Sequence, residues 1–316
     1  ITPRGQLNKG TVSDGVSMPA SGIMPTMNDR IASHTAGKYP NSWYAATAPL
    51  LPAFPSLLGE EIADVCVIGG GYTGLSTALH LKKKGYDVVL LEAERVGWGA
   101  SGRNGGHVGT GQRADQSSIE KWVGMDAAKG LWQLGLDAVH KVCELVDEHQ
   151  IDCELGSGNL HLAAKPGHAE ELQEELEHLE SKYGYQQLSY LAPDVVSERT
   201  SAQGFYGALL DDGCRHLHPL KYAVGLARAA AEAGVKIYEH SRAQPAPDGQ
   251  SGEVKTAQGL VTARHVVLGC NAYLGKLIPR LAGNIMPINN FVIATEPLPS
   301  YLLPRINRDN LSMSDT

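Results

Sequence analysis

No stretch of this 316-residue sequence is long and apolar enough to read as a membrane span. Val65 to Leu81 is free of acidic and lysine or arginine side chains, but its glycines belong to a different motif, discussed below. The first residues lack the basic-then-apolar order of a secretory signal, so export is not expected. No C-x-x-C pair occurs, and the five cysteines (Cys66, Cys143, Cys153, Cys214, Cys270) are odd in number. A complete disulfide framework is therefore excluded, and reduced thiols in a cytoplasmic protein are the simplest reading. No His/Cys pattern predicts a metal site. Positive charge is not in excess either: 27 Lys and Arg against 34 Asp and Glu give a net charge of −7, which argues against nucleic acid or an anionic membrane as partner. Internal repeats and low-complexity tracts are also missing.

What is present is an ordinary globular balance, 42% apolar and 19% charged, with a high glycine count of 36. The length allows one large or two moderate domains. The informative stretch is 63–106. Ala63 to Ile68 reads as a buried strand, and Gly69-Gly70-Gly71-Tyr72-Thr73-Gly74 supplies G-x-G-x-x-G. Leu75 to Lys84 continues as a helix, Asp87 to Leu91 is a second strand, and Glu92 follows it. This is a βαβ unit with the dinucleotide fingerprint in its required context. Gly69 permits the tight turn, Gly71 lets backbone approach a pyrophosphate, and Gly74 allows close helix–strand packing. The helix N-terminus offers N–H groups and a partial positive charge to phosphate, and Glu92 can accept from a ribose diol. The fingerprint alone does not separate FAD from a nicotinamide dinucleotide.

Residues 1–45 read as a mobile leader and 50–59, with two prolines, as an extended arm. The small-residue loop Gly97 to Gly106 follows the first unit. Apolar spacing predicts helices over 126–147 and across Leu172 to Tyr183, the latter stopped by Gly184. Leu160 to Ala163 could be a strand. Pro219 opens a helix to about Ala233, and a strand Val235–Tyr238 follows. A hairpin around Gln258-Gly259, a buried strand His265–Leu268 and a last strand Asn290–Thr295 complete the pattern.

The stretches GGGYTGLSTALHL and LLEAERVGWGASGRNGG resemble the D-amino-acid oxidase-like family of FAD-dependent oxidoreductases, and within it the gamma-glutamylputrescine oxidase group. Ser42-Trp43-Tyr44-Ala45-Ala46, His216-Leu217-His218-Pro219 and Ala294-Thr295-Glu296-Pro297-Leu298 fit the same likeness, which covers about 33–316. The resemblance implies an α/β fold, with a Rossmann-like FAD-binding domain (46–150 and 205–283) interleaved with a mixed-sheet substrate domain (151–204 and 284–316). It also implies bound FAD. Gly69, Gly71, Tyr72, Thr73 and Gly74 would hold the pyrophosphate, with Glu92 and the adjoining Ala93 at the adenosine ribose. Ala100, Ser101, Gly102, Asn104, Gly105 and Gly106 would line the ribityl chain and ring. Ala243 would meet the adenine, and Cys270 and Asn271 would lie near the nucleotide. Arg215 departs from the family pattern, where glycine is usual. The sequence also stops where relatives run on into further substrate-sheet strands, so a member without its C-terminal portion is expected.

The chemistry implied is oxidation of the C–N bond of an amine, gamma-glutamylputrescine or a similar polyamine derivative, with oxygen or another acceptor as the second partner. His107, after the GRNGG run, could tune the protonation of the amine or serve only as a hydrogen-bonded loop residue. Arg103 could face reduced flavin or pin the loop. Trp43, Tyr44 and Trp98 are candidates for an aromatic wall. A NAD-dependent dehydrogenase and a flavin-binding remnant without turnover stay open as alternatives.

Overall fold

The computed structural model describes residues 38–201, 203–245 and 252–315. The first half of this chain runs α1 (Trp43–Thr47), β1 (Gly59–Ile68), α2 (Tyr72–Lys83), β2 (Val88–Leu91), β3 (His107–Val108), α3 (Gln116–Val123), α4 (Met125–Glu148), β4 (Gly156–Leu162) and α5 (Pro166–Tyr183). It continues through β5 (Leu188–Leu191), α6 (Pro193–Thr200), β6 (Ala208–His216), α7 (Pro219–Glu232), β7 (Lys236–Tyr238), β8 (Glu253–Lys255), β9 (Gly259–Leu268), three short helical turns (Asn271–Leu274, Pro279–Ala282 and Leu303–Ile306) and β10 (Ser312–Asp315).

Two-residue alternation builds the first sheet. In β1, Val65 and Val67 enter one core while Cys66 and Ile68 enter another; in β2, Val88 and Leu90 side with the first pair, Val89 and Leu91 with the second. Burial on both faces is the signature of a parallel sheet covered on each side. The order is β7-β2-β1-β9-β8, parallel from β7 to β9, with β8 antiparallel to β9. Helices α2 and α7 pack together over the first core, with Leu75, Leu79, Leu226 and Ala230 buried. Each fully buried leucine stabilises the fold by about 1.5–3 kcal/mol. The hairpin expected around Gln258-Gly259 is present, and its second strand continues without a break to Leu268.

The second sheet has the order β10-β4-β6-β3, with β5 also paired to β6. Strand β6 pairs with β4, β5 and β3, so residues 208–216 and 107–108 lie in the second sheet. The expected strand Asn290–Thr295 does not form. Its alternating apolar residues meet no neighbouring strand, and Phe291 and Ile293 are 80% and 90% exposed.

Of the expected leader, residues 1–37 lie outside the described residues. Residues 38–45 do not behave as a loose tail. The Ser42 hydroxyl caps α1 by accepting from the Ala45 N–H at 3.2 Å, and the Tyr39 hydroxyl donates to the Val96 carbonyl at 2.7 Å. Satisfied caps and long-range bonds hold this segment on the fold. No helix among the described residues is long and apolar enough to cross a membrane.

Candidate functional site

The C-terminal ends of β1, β2 and β9 converge. A turn of three glycines leads from β1 into α2, and Gly269, after β9, donates to the Ile68 carbonyl at 2.8 Å. Gly74 sits so near the turn that an added Cβ would lie 1.8 Å from the Gly69 carbonyl oxygen. Only glycine fits there, which is the close approach of helix to strand that the fingerprint requires.

Glu92, one residue beyond β2, faces this turn. Its Oε2 accepts from the Gly70 N–H at 2.6 Å and its Oε1 from the Glu94 N–H at 2.9 Å. Desolvation raises its pKa, the two backbone bonds oppose the rise, and the nearby carboxylates Glu94 and Glu239 add to it. Ala93 is half-buried beside it. The segment after β7 lies alongside, since the Ser241 N–H donates to the Glu92 carbonyl at 2.8 Å, and Ala243 packs on the second core. The Cys270 thiol donates to the Ile68 carbonyl at 3.3 Å, and burial pushes its pKa up to about 11. That thiol is a packing group rather than a nucleophile. Asn271 follows at φ +47° and is exposed.

The loop after Gly97 folds back over the start of α2. The Ser101 hydroxyl accepts the Tyr72 N–H at 3.1 Å, and a Cβ on Gly71 would stand 2.8 Å from that hydroxyl. The Tyr72 hydroxyl donates to the Pro219 carbonyl at 3.0 Å, and burial raises its pKa. Asn104 is turned into its own loop: its Nδ2 donates to the carbonyls of Ala100 and Ser101 at 3.1 and 3.0 Å. Gly106, at φ +75°, would place a Cβ 2.0 Å from the Leu217 carbonyl oxygen, so β3 and the segment before α7 come together only because it is glycine. Thr73 and Gly105 are exposed, Ala100 is exposed, and Gly102 is buried under the loop.

The other sequence candidates separate. Arg103 lies over the Trp98 ring at 4.7 Å, donates to the Tyr273 hydroxyl at 2.8 Å and reaches the Gly99 carbonyl, so it pins the loop. Trp98 is buried and gives its indole N–H to the Lys38 carbonyl at 3.0 Å. Trp43 is exposed, whereas Tyr44 reaches the loop by donating to the Asn104 carbonyl at 2.9 Å. Trp98 and Trp43 therefore do not form one aromatic wall. His107 is exposed at the head of β3, opposite His216 of β6. His218 ends up as a cap: its Nδ1 accepts the Lys221 N–H at 3.2 Å and its Nε2 pairs with the Thr47 hydroxyl at 2.9 Å. Burial lowers its pKa.

Three buried acids, Glu94, Asp211 and Glu239, were not predicted from sequence. Asp211 accepts from Tyr185, Thr110, Gly213 and Cys214, tying β6 to the chain just after β3. Glu239 is completely buried and holds the Val96 N–H and the Phe54 N–H. A carboxylate placed directly after a buried strand, as Glu92 also is, was the available signal for Glu239.

These residues fit an extended dinucleotide. The floor of the turn has no room for a side chain, α2 has no side-chain cap from its own Gly71, and Glu92 has carboxylates rather than cations for charged neighbours. A diol donating to Glu92 and a pyrophosphate at the α2 N-terminus would each find its complement.

Comparison with known proteins agrees. A family model described as "FAD dependent oxidoreductase" matches residues 64–315. The chain is 38% identical over 276 residues to a probable oxidoreductase OrdL of Rhizobium meliloti, covering 87% of this chain and 64% of that one. It is 39% identical over 279 residues to gamma-glutamylputrescine oxidoreductase of Escherichia coli, covering 88% of this chain and 65% of that one. The chain thus spans just under two thirds of the length of these relatives. Glycine oxidase from Geobacillus kaustophilus shares the fold, with a TM-score of 0.55 at 24% identity over 68% of this chain and 57% of that one. With the fingerprint, the acid and the loop in these places, the chain belongs to the D-amino-acid oxidase-like family of FAD-dependent oxidoreductases.

Proposed function

We propose that the protein oxidises the C–N bond of a primary or secondary amine, with gamma-glutamylputrescine or a similar polyamine derivative as substrate and oxygen as acceptor. The observation that carries the amine reading is the 39% identity to the Escherichia coli enzyme over 88% of this chain, joined to a cofactor cradle whose parts are all in register. FAD, when bound, supplies the two-electron acceptor for a hydride leaving the carbon next to nitrogen, and the imine product then takes up water to give an aldehyde with ammonia from a primary amine or a shorter amine from a secondary one.

The chain's own residues bind and orient. Gly69, Gly71, Tyr72, Thr73 and Gly74 cradle the pyrophosphate, and Glu92 with Ala93 holds the ribose. Ala243 lies toward the adenine, with Cys270 and Asn271 at the end of the returning strand. Ser101 and Asn104 shape the loop along the rest of the cofactor, with Ala100, Gly102, Gly105 and Gly106 giving it close backbone approach. The second sheet is the substrate layer, and His107, exposed where the loop enters that sheet, is the candidate to take the proton of an incoming ammonium. All five cysteines are free, which supports a reducing, cytoplasmic setting.

Loading the protein with FAD and measuring peroxide release on gamma-glutamylputrescine and a panel of simple amines tests the proposal. Peroxide with at least one amine supports it. Anaerobic bleaching of the flavin without peroxide in air would replace oxygen by another acceptor. Flavin binding with no bleaching by any amine would favour a binding role without turnover. Binding of NADH in place of FAD would overturn the assignment.

A further inference from the structure

The segment 92–98, which carries Glu92, lies between two others. On one side are residues 238–241: the Glu92 N–H donates to the Tyr238 carbonyl at 2.8 Å, the His240 N–H to the Glu94 carbonyl at 3.1 Å, and the Ser241 N–H to the Glu92 carbonyl at 2.8 Å. On the other is the proline-containing arm before β1. Glu239 joins all three. Its Oε1 accepts the Val96 N–H at 2.7 Å, and its Oε2 accepts the Phe54 N–H at 2.9 Å. Its own N–H donates to the Pro55 carbonyl at 3.1 Å.

Arg95 supplies the countercharge, with Nε 2.6 Å from Glu239 Oε2. That contact is a charge pairing rather than an aligned hydrogen bond, because Nε finds no acceptor along its N–H direction. The same guanidinium donates from Nη2 to the Leu51 carbonyl at 2.8 Å and lies over the Tyr39 ring at 5.3 Å. The arm is fixed a second time where the Leu57 N–H donates to the Ser241 hydroxyl at 2.8 Å. A fully buried carboxylate holding backbone N–H groups from two separate segments has no freedom to choose other partners.

We infer that Glu239 is a positioning residue of the nucleotide site: with Arg95 it locks the arm 51–57 onto the segment 92–98 and so fixes where Glu92 meets the ribose. The inference rests on the reading of Glu92 as the ribose acceptor. Glu239 touches neither cofactor nor substrate and acts through the backbone of Val96 and the arm.

The test is Glu239→Gln in the full chain, studied without flavin and then with added nucleotide. Both carboxylate oxygens accept N–H groups, so the amide of glutamine must turn its NH₂ toward one of them. Hydrogen exchange in flavin-free protein should speed up at Phe54 and Val96. Affinities for FAD and for ADP, which presents only the ribose and phosphate end, should fall together by about tenfold, while binding of FMN stays unchanged. A general loss of packing would not single out the ADP half. A folded variant with wild-type exchange at both amides and unchanged ADP affinity overturns the inference. Should Glu239→Gln not fold, Arg95→Lys keeps a cation beside Glu239 but cannot serve both Glu239 and Leu51. It is expected to raise exchange across 51–54 and weaken ADP, and no change in either measurement would equally overturn the inference. If wild type binds neither FAD nor ADP, the assignment of Glu92 fails; the exchange measurement then still decides whether Glu239 locks the arm.

Discussion

Gly106 gives its N–H to Asn104 Oδ1 at 2.8 Å, closing a turn two residues wide at the point where the loop 97–106 becomes β3 of the second sheet. The other end of the same amide holds the carbonyls of Ala100 and Ser101. One side chain thus sets the curvature of the loop from Ala100 to its exit at Gly106. Asparagine suits the position because it donates and accepts at once.

Asn104→Asp should harm the loop more than Asn104→Ala. Aspartate keeps the acceptor for Gly106 but aims a negative oxygen at two carbonyls, whereas alanine only leaves groups unpaired, at about 1–3 kcal/mol. Flavin retention during gel filtration, compared across wild type, Ala and Asp, checks the order.

Gly74→Ala should prevent stable folding of the first layer. The new Cβ would stand 1.8 Å from a backbone oxygen, which no side-chain rotation relieves, and the cost should exceed the roughly 1–3 kcal/mol of ordinary overpacking. Gly85→Ala makes the comparison, because a Cβ there meets nothing within 4 Å although φ is +89°. Urea unfolding should show the first variant far below the second.

FAD affinity should fall as pH is lowered. Glu92 has a raised pKa, chiefly from desolvation, with backbone N–H bonds acting against the rise. A ribose diol donates to the ionised form, so binding favours loss of the proton and weakens as the carboxyl becomes protonated. For the flavin-free protein the sign is opposite: a carboxyl raised by folding contributes stability below its unfolded pKa that is lost as pH rises through the folded value. Fluorescence titration of FAD against pH, with Glu92→Gln as the flat control, separates the two effects.

His218 should make the fold less stable in mild acid. Its Nδ1 accepts the Lys221 N–H, so the ring is neutral with the proton on Nε2, which it gives to Thr47. Burial holds its pKa below the ordinary 6.5, and the nearby Glu154 and Lys221 act in opposite directions. A histidine lowered by folding contributes stability above about pH 6.5 that is lost as pH falls toward the folded value. His218→Asn keeps a capping side chain and should remove part of this slope. Thermal unfolding of both proteins between neutral and mildly acid pH measures it.

Phe291→Ser with Ile293→Ser should leave stability nearly unchanged, within about 0.5 kcal/mol, because both side chains are mostly exposed. The same change should slow aggregation by breaking an apolar surface run. Light scattering at raised temperature is the readout.

Alternation in 63–68 and 87–91, glycine spacing and an acid after the second strand were enough to read the first layer, because each is a local pattern with one physical meaning. The helices ending at Gly184 and beginning at Pro219 were equally plain. Strand β6 was not. Its sequence carries two aspartates and a glycine in the middle, and only its partners reveal it as the centre of the second sheet. Asn290–Thr295 failed in the opposite direction, with the right alternation and no strand beside it.

By itself, then, the sequence determined the dinucleotide unit, since turn, helix and acid lie within one short stretch and constrain one another. Tertiary structure alone decided which side chains are spent on holding the loop and its neighbours: Asn104 and Trp98 bond to backbone, and Glu239 closes around backbone from residues 54 and 96. Those partners are 185 and 143 positions away along the chain. No periodic pattern reaches that far; only folding two layers and an arm together brings such groups within hydrogen-bond range.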